Sequence, residues 1–422
     1  MNKKLVVKSV IMKKWTEMMY IKKRKDGIMS EKKLGRMMSS YYLLQSFVFY
    51  VPVLTIFLRS EVNDLFLVSV LLSVKSIATF LFEIPTGFIA DHISRKLSII
   101  TGTLFYILAM LIFAICPKFE LLVIAQLLFG VSETLISGSD QALFYDNFKY
   151  INKEAGYQRY YANLTFLSTL ALCISFSIGG VVYTYNKRSV FWLTAVFMAA
   201  SLIFLFSMKE YPYKAEEEKV KFSFSLVFNR AKRLGEESGK FKFYLVFGSG
   251  VEAIILSMYL YLVPLLLENS GIGEAYFGFI YAICTILFGV GAKITKYIKN
   301  NRNGMIMTLF IAIAVLLVYV WTGSSAGAIL VMAGVRLMWG VFDVLLKAQL
   351  NSELKNSEIR ATMFSISNSI TNVGSTLITS AFGLVVTNAS FDFLLKLLIG
   401  LFGVLVVCMM AWSKFHVQQE KI

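Results

Sequence analysis

Long apolar runs follow one another through the 422-residue sequence, each close to the ~20 residues that an α-helix needs to cross a bilayer. Lipid offers no water to backbone N–H and C=O groups, so a spanning segment pairs these groups within a helix. The sequence therefore predicts an all-α membrane protein with twelve transmembrane helices. The predicted spans cover residues 40–59, 65–90, 97–116, 120–145, 160–185, 189–208, 243–267, 274–296, 304–323, 326–349, 361–387 and 392–413.

Composition agrees with a chain that lies mostly in lipid. Hydrophobic residues make up 57% of the sequence and charged residues 16%, and the mean hydropathy is +0.66. A water-exposed surface would need more charge. The net charge of +16 could suggest a nucleic-acid partner. However, Lys and Arg cluster in short stretches between the apolar runs, as they do in cytoplasmic loops. We therefore expect the lipid bilayer, and no nucleic acid, as the partner.

The distribution of Lys and Arg predicts the orientation of the chain. With twelve spans, both termini lie on one side, and that side carries 35 of the 42 Lys and Arg residues. The opposite loops carry four, and the remaining three, Lys75, Arg336 and Lys396, lie within spans. Positively charged loops stay in the cytoplasm. The sequence thus predicts a multi-pass protein of the cytoplasmic membrane with both termini in the cytoplasm.

An internal duplication organises the spans. Glu133 and Asp140 in the fourth span correspond to Arg336 and Asp343 in the tenth, with the same spacing of seven and an offset of 203 residues. Other features, such as glycines near the span ends, match at similar offsets. A parallel duplication leaves such a common offset. The chain is therefore predicted to form two pseudo-symmetric six-helix bundles around one polar gap.

Five segments follow from this organisation. A long polar connection after the sixth span separates the two bundles, and a short segment lies at each end of the chain. In the N-terminal segment, Met29 is an alternative start of the chain. The segments are a basic cytoplasmic tail at 1–39, the N-terminal bundle at 40–209, a cytoplasmic linker at 210–242, the C-terminal bundle at 243–413 and a cytoplasmic tail at 414–422.

The connection between the second and third spans carries a compact motif, EIPTGFIADHISRKLS, at residues 83–98. Gly87 is followed four residues later by Asp91, which is followed four residues later by Arg95 and then Lys96. A glycine permits close approach of two helices, and a carboxylate and a guanidinium at a helix junction can pair. In this loop of a twelve-span chain, the motif resembles the signature of the major facilitator superfamily.

The resemblance covers about residues 40–413 and implies a twelve-helix, monomeric transporter with one cavity between its halves. It implies that Gly87, Asp91, Arg95 and Lys96 form a cytoplasmic gate, with Asp146 as the acidic partner. The EIPTG segment and SGSDQALFYD at residues 137–146 are similar to sequences of bacterial drug-efflux members. Gln126 stands where the family's second motif has Arg, which departs from the usual route of proton coupling.

Ionisable residues within the spans are candidates for function, because each costs about 2.5–3.5 kcal/mol at the centre of a bilayer. On the functional interpretation, Glu252 and Glu133 take up and release protons, and Arg336 or Lys75 tunes them or binds the substrate. On the structural interpretation, Lys75 pairs with an acidic neighbour and Arg336 with Asp343. The six candidates are Lys75, Glu133, Asp140, Glu252, Arg336 and Asp343.

Aromatic residues and cysteines give weaker signals. Most aromatic residues are expected at the membrane interface or facing lipid, but Tyr50, Tyr259 and Trp339 could instead line a cavity for an apolar or cationic compound. The four cysteines each lie inside an apolar run without metal-ligand spacing. Neither a metal site nor a cofactor is therefore expected.

Three functions remain in view. The first is proton-coupled efflux of small amphiphilic molecules, which is favoured, and the second is uptake of a nutrient or metabolite by the same fold. The third is a membrane-embedded enzyme, which would need a cluster of histidines or carboxylates near an interfacial loop. The sequence has no histidine within a span and no such loop, so an enzyme is not expected. The chain has no phosphate-binding glycine loop, so an ion gradient is the expected energy source.

Overall fold

The computed structural model describes residues 29–115, 118–211, 238–298, 301–354 and 360–419. These residues form fourteen helices and no β-strand. Eleven helices are long and apolar enough to cross a membrane, and they coincide with all the predicted spans except the first. The all-α membrane fold is thus confirmed. Residues 1–28 and 212–237, which include most of the predicted tail and linker, lie outside the described residues, as does Cys116.

Three helices have fewer than 18 residues, and the others have 18 or more. The helix Gly239–Asn269 contains two π-helical turns, at Tyr244–Gly248 and Met258–Leu262. The helices are α1 Glu31–Gln45, α2 Leu54–Val62, α3 Leu65–His92, α4 Arg95–Ile115, α5 Phe119–Ile136, α6 Ser139–Tyr150, α7 Glu154–Tyr185, α8 Ser189–Ser207, α9 Gly239–Asn269, α10 Glu274–Ile294, α11 Asn301–Thr322, α12 Ser325–Glu353, α13 Arg360–Asn388 and α14 Phe391–Gln419.

The first predicted span is wrong as a continuous helix, because residues 46–53 are not helical and separate α1 from α2. Pro52 lacks a backbone N–H and its ring clashes with a helical carbonyl one turn earlier. Neighbouring helices satisfy the freed backbone groups: Phe49 N donates to Thr194 Oγ1 at 3.2 Å and Ser175 Oγ donates to Val48 O at 3.3 Å. Buried protein contacts of this kind permit irregular backbone inside a membrane.

The boundary between the basic tail and the first bundle also differs from the prediction, because residues 31–39 belong to α1. Ser30 caps this helix by accepting a hydrogen bond from Lys33 N at 3.3 Å. Leu34, Met38 and Tyr41 are buried on one face of α1, the spacing of an amphipathic helix. This face packs on α7 and α8. The charged residues on the rest of α1 led to the prediction of a tail, but the helix belongs to the bundle.

The helices pack as two groups that meet along two seams. In the first group α3, α4 and α5 pack together and α8 packs on α4; in the second, α12 packs on α10 and α11, and α14 packs on α11. The seams are α3 against α13 and α7 against α10. These are the second span against the eleventh and the fifth against the eighth, as pseudo-two-fold symmetry requires.

Small residues allow close approach at both seams. At the α7–α10 seam, a Cβ on Gly278 would overlap the carbonyl oxygen of Phe176, and one on Gly180 would lie 2.8 Å from Gly278 N. At the α3–α13 seam, Ser73 Oγ lies 3.0 Å from Ser380 Oγ and donates to Thr376 O at 3.1 Å. Close backbone packing replaces the hydrophobic effect between helices in lipid.

Replacing Gly278 by Ala should destabilise the protein, because the added methyl group meets backbone that cannot move aside. Overpacking of this kind costs about 1–3 kcal/mol. We expect a lower midpoint of thermal unfolding for purified Gly278→Ala. Gly289→Ala on the same helix is the matched control, since a Cβ there would meet nothing within 4 Å. Equal midpoints for the two variants would contradict the close seam.

Candidate functional site

A cavity lies between the two groups of helices and is divided into two adjoining chambers. The deep chamber has a volume of about 230 Å³ and mixes apolar, aromatic and charged walls. It receives residues from α2, α3 and α5 on one side and from α9, α10 and α13 on the other. Its lining is Tyr50, Val51, Leu54, Thr55, Leu72, Lys75, Ser76, Thr79, Phe129, Glu133, Leu256, Tyr259, Leu260, Tyr281 and Asn372.

The mouth chamber is larger, about 530 Å³, and more polar. It shares Thr79, Glu133 and Asn372 with the deep chamber, so the two chambers adjoin. Volumes of 300–1,000 Å³ are usual for sites that hold small molecules. The lining of the mouth chamber is Gln45, Thr79, Glu83, Gly87, Tyr106, Glu133, Thr134, Ile136, Ser137, Asn368, Thr371 and Asn372.

The end of the bundle beyond the deep chamber is closed by contacts between the halves. Arg59 Nη1 on α2 lies 2.6 Å from Glu268 Oε2 on α9. Thr55 Oγ1 donates to Leu260 O at 2.5 Å, and Tyr261 OH donates to Leu65 O at 2.9 Å. The mouth chamber lies toward the other end, where α3 and α5 end. Among the described residues, the cavity is therefore closed at this end and open toward the end where α3 and α5 end.

A charged pair stands where the two chambers meet. Lys75 Nζ on α3 lies 2.7 Å from Glu133 Oε1 on α5 and 4.4 Å from the centroid of the Phe129 ring. The sequence interpretation in which Lys75 pairs with an acidic neighbour thus has a specific partner. Thr79 and Glu83 follow Lys75 at intervals of four residues and also line the cavity, as expected for one face of a helix.

Glu252 lies just behind the cavity wall in the second half. Its Oε2 atom is 3.5 Å from Thr371 Oγ1, and Thr371 lines the mouth chamber. Asp343 lies beside Glu252, and Asp343 Oδ1 is paired with Lys347 Nζ at 2.6 Å. The Oε1 atom of Glu252 is buried and has no hydrogen-bond partner among the described residues. Two neighbouring carboxyl groups thus share one ammonium group close to the cavity.

The expected ion pair between Arg336 and Asp343 is wrong. Seven residues on one helix are separated by roughly 10 Å along its axis, whereas Lys347 lies one turn from Asp343. The guanidinium of Arg336 instead lies 4.6 Å from the Tyr259 ring centroid and 5.4 Å from that of Trp339. Tyr259 lines the deep chamber, and Trp339 packs against Tyr259. Trp339 and Arg336 therefore form a layer next to the Tyr259 ring.

The expectation that Glu133 and Asp140 share one helix face is also wrong. Helix α5 ends at Ile136 and α6 begins at Ser139. Gly138 between them has a φ of +77°, a left-handed conformation that glycine adopts readily. The chain changes direction there, so Glu133 faces the cavity whereas Asp140 lies beside Tyr42 of α1.

The motif between α3 and α4 holds together the end of the first half. Arg95 Nη1 forms an ion pair with Asp146 Oδ2 on α6. Lys96 Nζ donates to Met208 O at 2.6 Å and Phe206 O at 3.0 Å, at the end of α8, where carbonyl groups lack helical partners. The side chain of Asp91 lies outside the described residues.

Gly87 makes no close helix contact with the described residues, and its place in the cytoplasmic gate stays a prediction. A Cβ on Gly87 would meet nothing within 4 Å, because the residue borders the mouth chamber. Close helix approach occurs instead at glycines that the motif does not contain, such as Gly278.

Several cavity residues were absent from the candidates taken from the sequence. They are uncharged or, in Glu83, part of a motif that was interpreted as a loop. Their signal is polar spacing at one helix face: Asn368, Thr371 and Asn372 recur at three and four residues within the apolar α13. Among the missed polar residues are Gln45, Thr79, Glu83, Asn368, Thr371 and Asn372.

A bundle of membrane-spanning helices in two halves, with a central cavity closed at one end, defines a secondary transporter. Residues 38–379 match the sequence model of the Major Facilitator Superfamily. The chain belongs to this superfamily. Among the described residues, no group of three or more His, Cys, Asp or Glu side chains could hold a metal ion.

Relatives agree with this assignment, and solved transporter structures share the fold. An MFS-type transporter of Bacillus subtilis, YxaM, is 22% identical over 62% of this chain and 69% of its own length. A transporter of Buchnera aphidicola is 25% identical over 53% of this chain and 54% of its own length. The fold is similar to that of a variant of the nucleoside transporter NupG (TM-score 0.78, 14% identity, 90% of this chain and 99% of that one). It is also similar to the POT family transporter PepTSo (TM-score 0.71, 12% identity, 93% and 99%).

Neutralising the ion pair at the closed end should let that end open more often. The Arg59 and Glu268 side chains are 36% and 33% exposed, so the pair is worth about 0–1 kcal/mol. For Glu268→Gln we expect the population open at this end to rise by up to roughly fivefold. Spin labels at Glu61→Cys and Asn269→Cys, in a background without the natural cysteines, measure this change: the open population gives a longer distance between the labels.

Glu274→Gln is the control for this experiment. Glu274 begins α10 at the same end of the bundle and forms no ion pair among the described residues. Its replacement should leave the distance distribution unchanged. A distribution that is the same for Glu268→Gln and the unmodified protein would show that Arg59 and Glu268 do not hold the end closed.

Proposed function

We propose that this chain is a proton-coupled exporter of small amphiphilic compounds that works by alternating access. The observation that carries the proposal is the cavity between the halves, which is closed beyond Arg59 and Glu268 and is entered from the other end. The deep chamber offers apolar and aromatic walls together with the Lys75–Glu133 pair. Such a lining suits a molecule with an apolar body and a polar or charged group.

Proton coupling rests on Glu252 and Asp343. Two carboxyl groups that lie side by side repel when both are ionised, and protonation of one removes that repulsion. Lys347 compensates one negative charge, so the second is left to a proton or a cation. Because Thr371 connects Glu252 to the mouth chamber, a proton bound there can respond to the state of the cavity. Glu133, which lines both chambers, is a further carboxyl group that takes up and releases a proton in this scheme.

The two bundles of helices move against each other in this proposal. The sealed seams α3–α13 and α7–α10 act as the surfaces of the rocking motion. The Arg95–Asp146 pair and the contacts of Lys96 lie within the first bundle. They keep its cytoplasmic end rigid while the gate opens and closes. A monomer suffices, since a single chain encloses the whole cavity.

Glu252→Gln should abolish transport driven by a pH gradient, because an amide of the same shape cannot bind and release the proton. The assay uses inverted membrane vesicles, acidified inside, and a panel of amphiphilic dyes. We expect gradient-driven accumulation by the unmodified protein and only background accumulation by the variant. Asp392→Asn is the matched control, because Asp392 pairs with Lys396 at 2.6 Å and lines neither chamber.

The same vesicles decide between export and uptake. Accumulation in right-side-out vesicles instead of inverted ones would favour uptake of a nutrient or metabolite, the alternative function on this fold. Equal gradient-driven flux by Glu252→Gln and the unmodified protein would remove Glu252 from the mechanism.

We further propose the cell membrane as the location, with both termini in the cytoplasm. The prediction concerns two exposed basic loop residues in a background without the natural cysteines. Lys187→Cys, between α7 and α8, should react with a membrane-impermeant maleimide in intact cells, because its loop is external. Lys153→Cys, between α6 and α7, should react only after permeabilisation, since its loop is cytoplasmic. The reverse pattern would invert the orientation and the direction of the open end.

A further inference from the structure

The ammonium group of Lys75 lies in a cradle of the kind that binds an organic cation. Glu133 Oε1 is 2.7 Å from Nζ on one side, and the face of the Phe129 ring is 4.4 Å away on another. A carboxylate and an aromatic face are the two groups that recognise ammonium compounds. Both belong to the lining of the deep chamber. Lys75 thus shows, by its own side chain, which charge this position stabilises.

The pair faces the cavity and is not sealed between helices. The side chains of Lys75 and Glu133 are 24% and 41% exposed. A solvated ion pair is weak, worth about 0–1 kcal/mol, whereas breaking a fully buried one costs about 3–5 kcal/mol. A competing cation that enters the chamber can therefore displace the Lys75 ammonium from Glu133 at little cost.

Helices α3 and α5 do not depend on this pair for their contact. A Cβ on Gly130 of α5 would lie 2.7 Å from Ala78 Cβ and would also meet the Lys75 carbonyl oxygen. Thr79 Oγ1 contacts Gly130 O at 3.5 Å in the same region. The helices thus touch through their backbones at the level of the pair. The Lys75–Glu133 pair is free to exchange its cation without loosening the bundle.

The charges of the lining leave room for one more cation. Among the lining residues of the two chambers, the acidic side chains are Glu83 and Glu133, and Lys75 is the only basic one. Glu83 Oε2 is buried and has no hydrogen-bond partner among the described residues. When both carboxyl groups are ionised, the lining carries one uncompensated negative charge, which attracts cations into the cavity.

We infer that Lys75 occupies the cation site of the cargo, and that the cargo is a lipophilic organic monocation which replaces the Lys75 ammonium between Glu133 and Phe129. This inference deepens the proposed function and rests on it. Glu83 attracts the cation at the mouth chamber, and Glu133 with Phe129 binds it in the deep chamber. The apolar body of the cargo lies against Leu54 and Leu256.

The test measures equilibrium binding to the purified protein in nanodiscs, without any gradient. The probes are tetraphenylphosphonium and tetraphenylborate, which have the same shape and opposite charge. The unmodified protein should prefer the phosphonium. Lys75→Met removes the competing ammonium and should raise the affinity for the phosphonium roughly fivefold, the factor that corresponds to an ion pair worth about 1 kcal/mol. Glu133→Gln should lose most of this binding.

Matched variants separate competition from a general effect of charge. Lys396→Met also removes a lysine that pairs with a carboxylate at 2.6 Å, but it lines neither chamber, and it should leave the affinity unchanged. Lys75→Arg keeps the competing cation and should show no gain. If Lys75→Met does not yield folded protein, Lys75→Gln tests the same gain, since its amide still fits the chamber without a charge.

Three results would overturn the inference. The first is an affinity for the phosphonium that does not rise in Lys75→Met or Lys75→Gln; a lower affinity would make Lys75 part of the binding site. The second is binding of the borate as tight as that of the phosphonium, and the third is binding of neither probe. Dye accumulation driven by a pH gradient with any of these results would leave the proposed function standing. Phosphonium binding as expected, without gradient-driven flux of any dye, would contradict the proposed proton coupling and support the cation site.

Discussion

Hydrocarbon cannot solvate a backbone amide or an ionised side chain, and this constraint governs the whole structure. Backbone groups are paired within helices, and ionisable side chains inside the spans lie near the cavity or against polar or aromatic partners. Lys75 pairs with Glu133, and Asp343 pairs with Lys347. Arg336 has three aromatic faces around it in place of a carboxylate. The central cavity exists because polar groups must meet one another or water somewhere in the bundle.

Two breaks in regular helix lie next to the cavity. The irregular segment before α2 brings Tyr50 and Val51 to the deep chamber, and Thr194 and Ser175 satisfy the backbone there. In α9, the second π-helical turn contains Tyr259, another lining residue. π-Helical turns and interrupted helices are common at functional sites. At these two positions the departure from the α-helix shapes the binding space.

The two kinds of contact between the halves have different strengths. The α7–α10 seam packs backbone on backbone through Gly180 and Gly278, and such packing tolerates rotation but little separation. The closed end depends on Arg59 and Glu268, a partly exposed pair of modest energy, and on two hydrogen bonds. A bundle with firm seams and a weak closure can rock about the seams and open at that end. This difference in strength suits the alternating access that we propose for this chain.

The sequence by itself determined the fold class, eleven of the twelve spans and the family, because apolar length, loop charge and the Gly87–Arg95 motif are properties of neighbouring residues. It also marked the ionisable residues within the spans. It could not assign their partners: Glu133 follows Lys75 by 58 positions, and Arg336 and Asp343 differ in surroundings despite their shared helix. Only the tertiary structure decided these partners, the break at Pro52 and the turn at Gly138. Side-chain pairing depends on how the helices cross. The crossing in turn depends on close contacts between distant residues, such as that of Gly130 with the backbone of Lys75, and no local sequence pattern encodes such contacts.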